Sequence, residues 1–274
     1  MALTAQREAE LKELCRKFRI EVLTAIYKAQ SGHPGGSLSV CEILTLLYQE
    51  RMNIPALDDP NRDRLVLCKG HAAPMLYMQL VQRGYIPESS LDSLRRIDSL
   101  LQGHPTNHIP GVEMPSGPLG IGLSAAQGMA LGLRLNGSNA RVYAVLGDGE
   151  LDEGCVWEAA ASAPKFHLDK LCAIVDLNGV QLDGKTDDIM PLRDVAAKFR
   201  AFGWHVIECD GNDIAALDGA LDEALGAQGA PSVIVAHTIK GKGVSFMEGQ
   251  YAWHGKAIDP ESYKKAMAEL GGTE

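Results

Sequence analysis

Val142-Tyr143-Ala144-Val145-Leu146-Gly147-Asp148-Gly149, followed downstream by Leu171-Cys172-Ala173-Ile174-Val175-Asp176-Leu177-Asn178, is the part of the sequence that decides the fold. Each stretch is a short, nearly continuous apolar run, the pattern of a parallel strand covered by helices on both faces. Each run ends on a turn-former or amide that carries polar chemistry. Asn178 follows Asp148 by 30 residues, the span of one strand–helix–strand crossover, so the two strands run parallel with their carboxyl ends side by side. Open α/β sheets bind ligands along that edge. A carboxylate and an amide oxygen converging there are hard oxygen ligands suited to Mg²⁺ or Ca²⁺, with positions left over for diphosphate oxygens and water. Gly147 and Gly149 let backbone approach phosphates closely. Taken singly, Gly-Asp-Gly reads as a tight turn and Asn178 as a strand-end turn residue; their joint placement reads as a site.

Working outward, three more apolar runs suit buried strands, at residues 65–68, 205–209 and 233–237. Leu11, Leu14, Cys15, Phe18, Val22, Ile26 and Ala29 predict an amphipathic helix over residues 5–29. A glycine-rich loop, Ser31-Gly32-His33-Pro34-Gly35-Gly36, follows, and helical periodicity resumes over residues 39–48. Pro191 and Pro260 each predict the first turn of a helix. Residues 103–122, with two histidines and many Gly and Pro, predict a long ordered loop, which in a compact domain is more often functional than idle. The sum is an α/β fold, a doubly wound, mainly parallel sheet flanked by helices, with residues 1–274 forming a single domain.

Composition narrows the function classes. With 46 % hydrophobic and 22 % charged residues the chain can build a sizeable core. Its net charge of −9 and the lack of a long basic cluster exclude nucleic acid and anionic membrane as partners. No long uncharged apolar run and no signal-peptide pattern is present, so a cytoplasmic protein is expected. The six cysteines are dispersed, form no Cys-x-x-Cys pair and read as reduced core residues. Any phosphorylated ligand must be held by a metal, by histidines or by backbone N–H groups.

Of the eight histidines, His33, His71, His104 and His254 each lie beside Gly or Pro in a loop, whereas His108, His167, His205 and His237 read as structural. Imidazoles titrate near neutrality and can move protons between hydroxyls and a carbanion-forming centre. Two other motifs are decoys. Residues 179–186 fit GxxxxGK[ST], but Asp187, Asp188 and Pro191 put the next helix start too late for a phosphate loop. Residues 120–125 fit GxGxxA, but Pro115 to Pro118 is no strand. Lys240-Gly241-Lys242-Gly243 can offer charge to a phosphate or be a solvated loop, and the sequence favours neither.

The Gly147-Asp148-Gly149 to Asn178 spacing resembles the thiamine-diphosphate motif, and further motifs resemble transketolases. These are Ser31-Gly32-His33-Pro34-Gly35, Lys69-Gly70-His71-Ala72, Gly103-His104-Pro105, Gly117-Pro118-Leu119-Gly120, Gly147 through Gly154, and His254-Gly255, in the family's order over almost the whole chain. The resemblance implies the thiamine-diphosphate-binding fold of the diphosphate type. It implies that Asp148, Asn178 and the Val180 carbonyl bind Mg²⁺, or Ca²⁺, and that His71 and His254 approach the diphosphate near Gly147 and Gly149. Leu119 and Gly120 would contact the aminopyrimidine, and Leu182 would pack near the thiazolium. His33, His104 and His254 would serve the sugar chemistry, and Glu153 would join a carboxylate network across a subunit interface.

The implied reaction is transfer of a two-carbon ketol unit from a ketose, or its phosphate, to an aldose. In the family the pyrimidine ring and its activating glutamate belong to a second kind of domain, for which the residues after His254 are too few. A C-terminal, pyrimidine-binding transketolase subunit is therefore the expected partner, in a heterotetramer. Two alternatives remain open from the sequence: a synthase or 2-oxoacid-decarboxylating subunit using the same cofactor, and a non-catalytic cofactor-binding remnant. The histidine set favours sugar donors over 2-oxoacids, and no motif residue has been lost.

Overall fold

In the computed structural model, which describes residues 3–272, the chain opens with α1 (Ala5–Ala29), whose N-terminus is capped by Thr4 accepting from the Arg7 amide. Leu11, Cys15, Phe18, Val22 and Ile26 form its buried stripe. The expected loop at residues 31–36 is shorter than the sequence suggested. Pro34 takes the first position of a short helix, α2 (Pro34–Ser39), because its fixed φ and missing N–H suit a first turn. After α3 (Cys41–Leu46) come β1 (Arg64–Leu67) and α4 (Ala73–Gln82), then irregular chain over 94–120 that leads into α5 (Ile121–Leu135). The remaining order is β2 (Val142–Gly147), α6 (Gly154–Lys165), β3 (Leu171–Leu177), α7 (Thr186–Ile189), α8 (Val195–Phe202), β4 (His205–Asp210), α9 (Ile214–Gly226), β5 (Ser232–His237) and α10 (Pro260–Leu270).

Pro191 does not start a helix. α8 begins at Val195, where Asp194 caps the Ala197 amide at 2.7 Å, a side-chain cap that outranks the proline signal. Pro260 does open α10, behind an Asp259 cap. α7 opens at Thr186, nearer the phosphate-loop pattern than the sequence implied. It is a single turn, and Val180 pairs with Lys185 to fold residues 179–185 into a narrow hairpin. The Gly179 amide is already given to Asp148, so no open cradle of amides remains there.

The five strands are all parallel, in the order β1-β2-β3-β5-β4. Gly147 of β2 lies opposite Asp176 of β3, so Asp148 and Asn178 leave adjacent strand ends as the crossover argument required. Side chains alternate between two apolar cores. Leu65, Val145, Ile174 and Ile234 meet α1, α3, α4, α9 and α10 on one face, and Val66, Ala144, Val175 and Val235 meet α5, α6 and α8 on the other. All six cysteines are free thiols. Among the described residues no helix is long and apolar enough to cross a membrane.

Beneath the carboxyl edge sits an ion pair that is almost wholly buried. Lys69 Nζ, from the turn after β1, meets Asp176 Oδ2, which also accepts from Ser39 Oγ at 2.6 Å, while Thr238 Oγ1 donates to Oδ1. Burial opposes ionisation of Asp176, but the Lys69 charge and these donors outweigh it and hold the carboxyl below its usual range. Removing one member of such a pair strands the other's charge in the core. Asp176→Ala is therefore expected to cost about 3–5 kcal/mol of stability. The double variant Lys69→Met/Asp176→Leu should cost clearly less, measured by equilibrium denaturant unfolding; equal losses would show that the two charges do not act as a unit.

Candidate functional site

The strand ends and loops enclose a cleft of about 300 Å³. Asp148, His71, Leu119, Asn178, Val180 and His254 line it, together with Gly147, Gly149, Leu182 and Glu153. Asp148 is buried. Its carboxylate accepts from the Gly149 amide at 2.8 Å and the Gly179 amide at 2.5 Å. Besides lining the cleft, it ties the Asn178 turn in place. Burial, reinforced by the charge of Asp176, pushes its pKa up to about 6. Asn178 Oδ1 accepts from the Val180 amide at 3.2 Å. Asp148, Asn178 and Val180 thus line one cleft, residues that can offer a carboxylate, an amide oxygen and a backbone carbonyl, donors of the kind that suit a hard cation.

Lys240, left undecided by the sequence, is no solvated loop residue. It is 2 % exposed, and its Nζ donates to the Val180 carbonyl at 2.8 Å and lies 2.9 Å from His254 Nδ1. Burial and the neighbouring Lys69 charge bring its pKa down to about 8.

The four loop histidines converge. His33 lies 5.2 Å from His71, 5.6 Å from His254 and 6.0 Å from His104, ring centre to ring centre, and His71 lies 4.9 Å from His254. Gly36 makes this possible, since a Cβ there would sit 3.2 Å from His71 Nε2. Burial holds the rings neutral: His33 falls to about 4 and His254 to about 3, helped by Arg95, His104 and Lys240 around the first and Lys240 around the second. His71 is pushed well below the usual range by burial and Lys69, and His104 is lowered by burial and Arg95. His33 Nδ1 is buried without a partner. Neutral imidazoles both donate and accept, which suits a ligand rich in hydroxyls. His167, His205 and His237 bond instead to Gly229, Glu223 and Glu208, outside this cleft.

Two polar residues carry no signal in the sequence. Glu150, 2 % exposed, accepts from the Gly120 amide at 2.8 Å and the Gly147 amide at 3.2 Å. It fastens the start of α5 to the end of β2, and burial raises its pKa to about 7 against those two donors. Gly120 has φ +91° as the N-terminal cap of α5, and a Cβ would collide with Glu153 and Cys155. Gln181 packs over Gly149, and its Nε2 is buried without a partner beside the cleft. The Gly-Asp-Gly-Glu run is visible, but nothing in it signals that Glu150 turns inward. Glu153, the N-terminal cap residue of α6, is exposed at the cleft mouth.

Residues 11–273 match the family model described as "Transketolase, thiamine diphosphate binding domain". The chain is 44 % identical to a 6-deoxy-6-sulfo-D-fructose transketolase subunit of Clostridium sp. (strain MSTE9), over 97 % of this chain and 98 % of that one. It is 42 % identical to an apulose-4-phosphate transketolase subunit of Actinobacillus succinogenes, over 96 % of each chain. The solved transketolase of Campylobacter jejuni superposes with a TM-score of 0.91 at 32 % identity, over 96 % of this chain and 43 % of that one.

The imidazole environments have a direct readout. In the cofactor-free chain, the ring resonances of His33 and His254 are expected to stay neutral from pH 8 down to about pH 5, because their folded-state pKa values lie near 4 and 3. Unfolded chain takes up those protons from about pH 6.5 downward, so the fold loses stability as the pH falls from there through 4 toward 3, where the folded rings protonate as well. Histidine NMR titration checks this, and midpoints near 6.5 for both rings would show solvated imidazoles.

Proposed function

The chain belongs to the transketolase family, as a thiamine-diphosphate-binding component, and from that premise we propose that it transfers two-carbon ketol units between sugars together with a C-terminal, pyrimidine-binding subunit. The observation that carries this reading is the convergence of four neutral imidazoles beside the cleft that Asp148, Asn178 and Val180 line. The relatives of matching length are named as transketolase subunits, which sets aside the synthase and 2-oxoacid-decarboxylating alternatives.

The residues present fit the cofactor and a divalent cation. Asp148, Asn178 and the Val180 carbonyl supply three hard oxygens, and Mg²⁺ is the ion proposed. The Val180 carbonyl already accepts from Lys240, but a carbonyl has two lone pairs and keeps one for a metal. Lys240, His71 and His254 would meet diphosphate oxygens; Gly147 and Gly149 keep that wall low. Leu119 and Gly120 would flank the aminopyrimidine, and exposed Leu182 would cover the thiazolium. When bound, thiamine diphosphate supplies the electron-accepting ring that stabilises a carbanion. The protein's own work is to hold, orient and exchange protons. His33 and His104, with His254, would hold sugar hydroxyls and relay protons between them and the reacting carbon. Glu153, at the exposed cleft mouth, would reach a carboxylate of the partner. We propose a heterotetramer of two chains of each kind, with residues 1–274 acting as one domain.

Two outcomes test this. Asp148→Asn keeps the size of the side chain but removes its charge, so it and Asn178→Ala should weaken Mg²⁺-dependent binding of thiamine diphosphate about a hundredfold or more. Calorimetric titration of the two-subunit complex measures it, and unchanged affinity in both variants removes them as metal ligands. The second outcome concerns the partner: the purified chain with cofactor and Mg²⁺ should show no ketol transfer, and adding the C-terminal subunit should restore it. Glu153→Ala should weaken assembly and activity together, since cofactor binding and assembly are linked. Full turnover by the chain alone would refute the two-subunit reading.

A further inference from the structure

Two of the six free cysteines meet in the core between α1 and α3, apart from the residues that line the cofactor cleft. Cys15 lies on the buried stripe of α1 and Cys41 opens α3, and both are closed to solvent. Their sulfurs and a carboxylate oxygen of Glu42, the residue after Cys41, all lie within 4.8 Å of one another. Among the described residues no other three histidine, cysteine or carboxylate donors come so close together. Cys41 Sγ also donates to the Cys15 carbonyl at 3.5 Å, which puts a backbone oxygen beside the two sulfurs.

Glu42 is only partly used. Its Oε2 accepts from Arg19 Nη2 at 2.7 Å and from Asn212 Nδ2 at 3.0 Å, while Oε1 has no partner among the described residues. Arg19 is buried as well, and its remaining donors go to the Lys242 carbonyl at 2.9 Å and the Leu38 carbonyl at 3.3 Å. Burial opposes its charge, but Cys41, Glu42 and Cys15 outweigh burial and keep the guanidinium protonated. Arg19 and Glu42 therefore cancel, and two protonated thiols add no charge. Exchanging the two thiol protons for one divalent cation leaves that sum unchanged, so an ion can be held there without an uncompensated charge in the core. The donors suit the exchange, because thiolates with a hard oxygen ligand select thiophilic cations such as Zn²⁺ in tetrahedral sites. A Zn²⁺ ion bonds sulfur at about 2.3 Å and spaces its ligands roughly 3.8 Å apart, so each donor has to move inward by only about half an ångström.

We propose that Cys15, Cys41 and Glu42 form a structural binding site for a thiophilic divalent cation, Zn²⁺ by the donor set, that pins α1 to α3. The step is a ligand exchange: two S–H bonds break, two metal–sulfur bonds form, both protons leave to water, and nothing is oxidised or reduced. Glu42 supplies the third ligand, and the Cys15 carbonyl is the nearest oxygen for a fourth. A disulfide between the same sulfurs is disfavoured, since burial pushes the Cys41 thiol well above its usual range and it is the thiolate that attacks an oxidant. The closed site takes up its ion as the chain folds or opens, so metal affinity appears as stability of the fold. Ser39, two residues before Cys41, holds the Asp176 carboxylate, so the pin stands directly behind the buried ion pair of the sheet edge.

The test refolds the full chain in chelator and then adds one equivalent of Zn²⁺ or Co²⁺. Zn²⁺ is expected to stay bound through dialysis and to raise Tm by about 5 °C or more, and Co²⁺ to show a thiolate charge-transfer band in the near ultraviolet. The imidazoles beside the cleft can take the same ions, but through nitrogen, so the band tells the two places apart. Cys15→Ala and Cys41→Ala should each abolish the band and most of the rise in Tm. Cys172→Ala, at a buried cysteine outside the cluster, should keep both. Co²⁺ bound by the wild-type chain without the band overturns the proposal, as does a Tm that Zn²⁺ leaves unchanged or a band that survives in both cluster variants. So does a count of free thiols in the denatured chain that falls two short of the six in the sequence and returns to six on reduction in Cys15→Ala and Cys41→Ala alone, which would join the two sulfurs to one another. If the alanine variants do not fold, the wild-type band and Tm still decide, because neither needs the variants.

Discussion

The buried contact between Lys69 and Asp176 is the constraint from which the site is built. A carboxylate at 0 % exposure and an ammonium at 1 % are tolerable only if every lone pair and proton is answered, because desolvation of both charges has to be offset by their mutual attraction and added hydrogen bonds. The answering groups come from four places: Lys69 after β1, Asp176 near the end of β3, Ser39 at the end of α2 and Thr238 after β5. Satisfying one carboxylate therefore pins three strand ends and the histidine-bearing N-terminal loop to a common point. The Lys69 stem runs beneath Gly147, with Cδ 3.6 Å from where a Cβ would be, and its Nζ comes within 3.7 Å of the same position on Gly36. Gly147 precedes Asp148, and Gly36 faces His71.

That arrangement also sets the electrostatics. Asp176 raises the pKa of Asp148, and Lys69 lowers those of Lys240 and His71. Each displaced group is one whose charge a bound cation or anion would favour. A cation beside Asp148 stabilises its ionised form, and an anion beside Lys240 stabilises the ammonium. The protein groups by themselves hold unlike charges slightly out of balance, and ligands of the complementary charge restore it.

Much of this is legible in the sequence because it is local or periodic. The β2 and β3 runs predict their own pairing, and the 30-residue offset alone places Asp148 beside Asn178. The histidines in glycine- or proline-bearing loops separate from His167, His205 and His237, which the structure pairs elsewhere. The departures have a common origin in choices that only tertiary contacts decide. Pro191 carries a helix-start signal that the Asp194 cap overrides three residues later. Lys240 is left undecided by its Lys-Gly-Lys-Gly run, yet the closed loop draws it onto Val180. Glu150 and Gln181 have no periodic signature, since their roles depend on facing Gly120 and Gly149 across chain gaps.

The cleft itself argues for a second surface. One wall is continuous: strand ends, Lys240, and the imidazoles down to His33. Other lining residues are ones the chain leaves to solvent, with Leu182 at 57 % exposure and Glu153 open at the start of α6. An apolar side chain proposed to cover the thiazolium cannot exclude water from that ring while itself facing water, and Glu153 is proposed to meet a carboxylate that this chain does not supply. Carbanion chemistry favours a closed site, because a solvated site weakens every electrostatic interaction it contains and lets protons leak in. The α5 surface beside the mouth adds a reason for placing the missing wall there. Ile121 is exposed at its start and Leu135 at its end, and nothing lies within 4 Å of where Gly128 and Gly132 would carry a Cβ. Such a face lets another backbone approach closely, and α5 begins at Gly120, which Glu150 ties to the floor of the cleft. A partner packed along α5 would therefore press on the same segment that is proposed to flank the aminopyrimidine, so that closing the interface and closing the site would become one event.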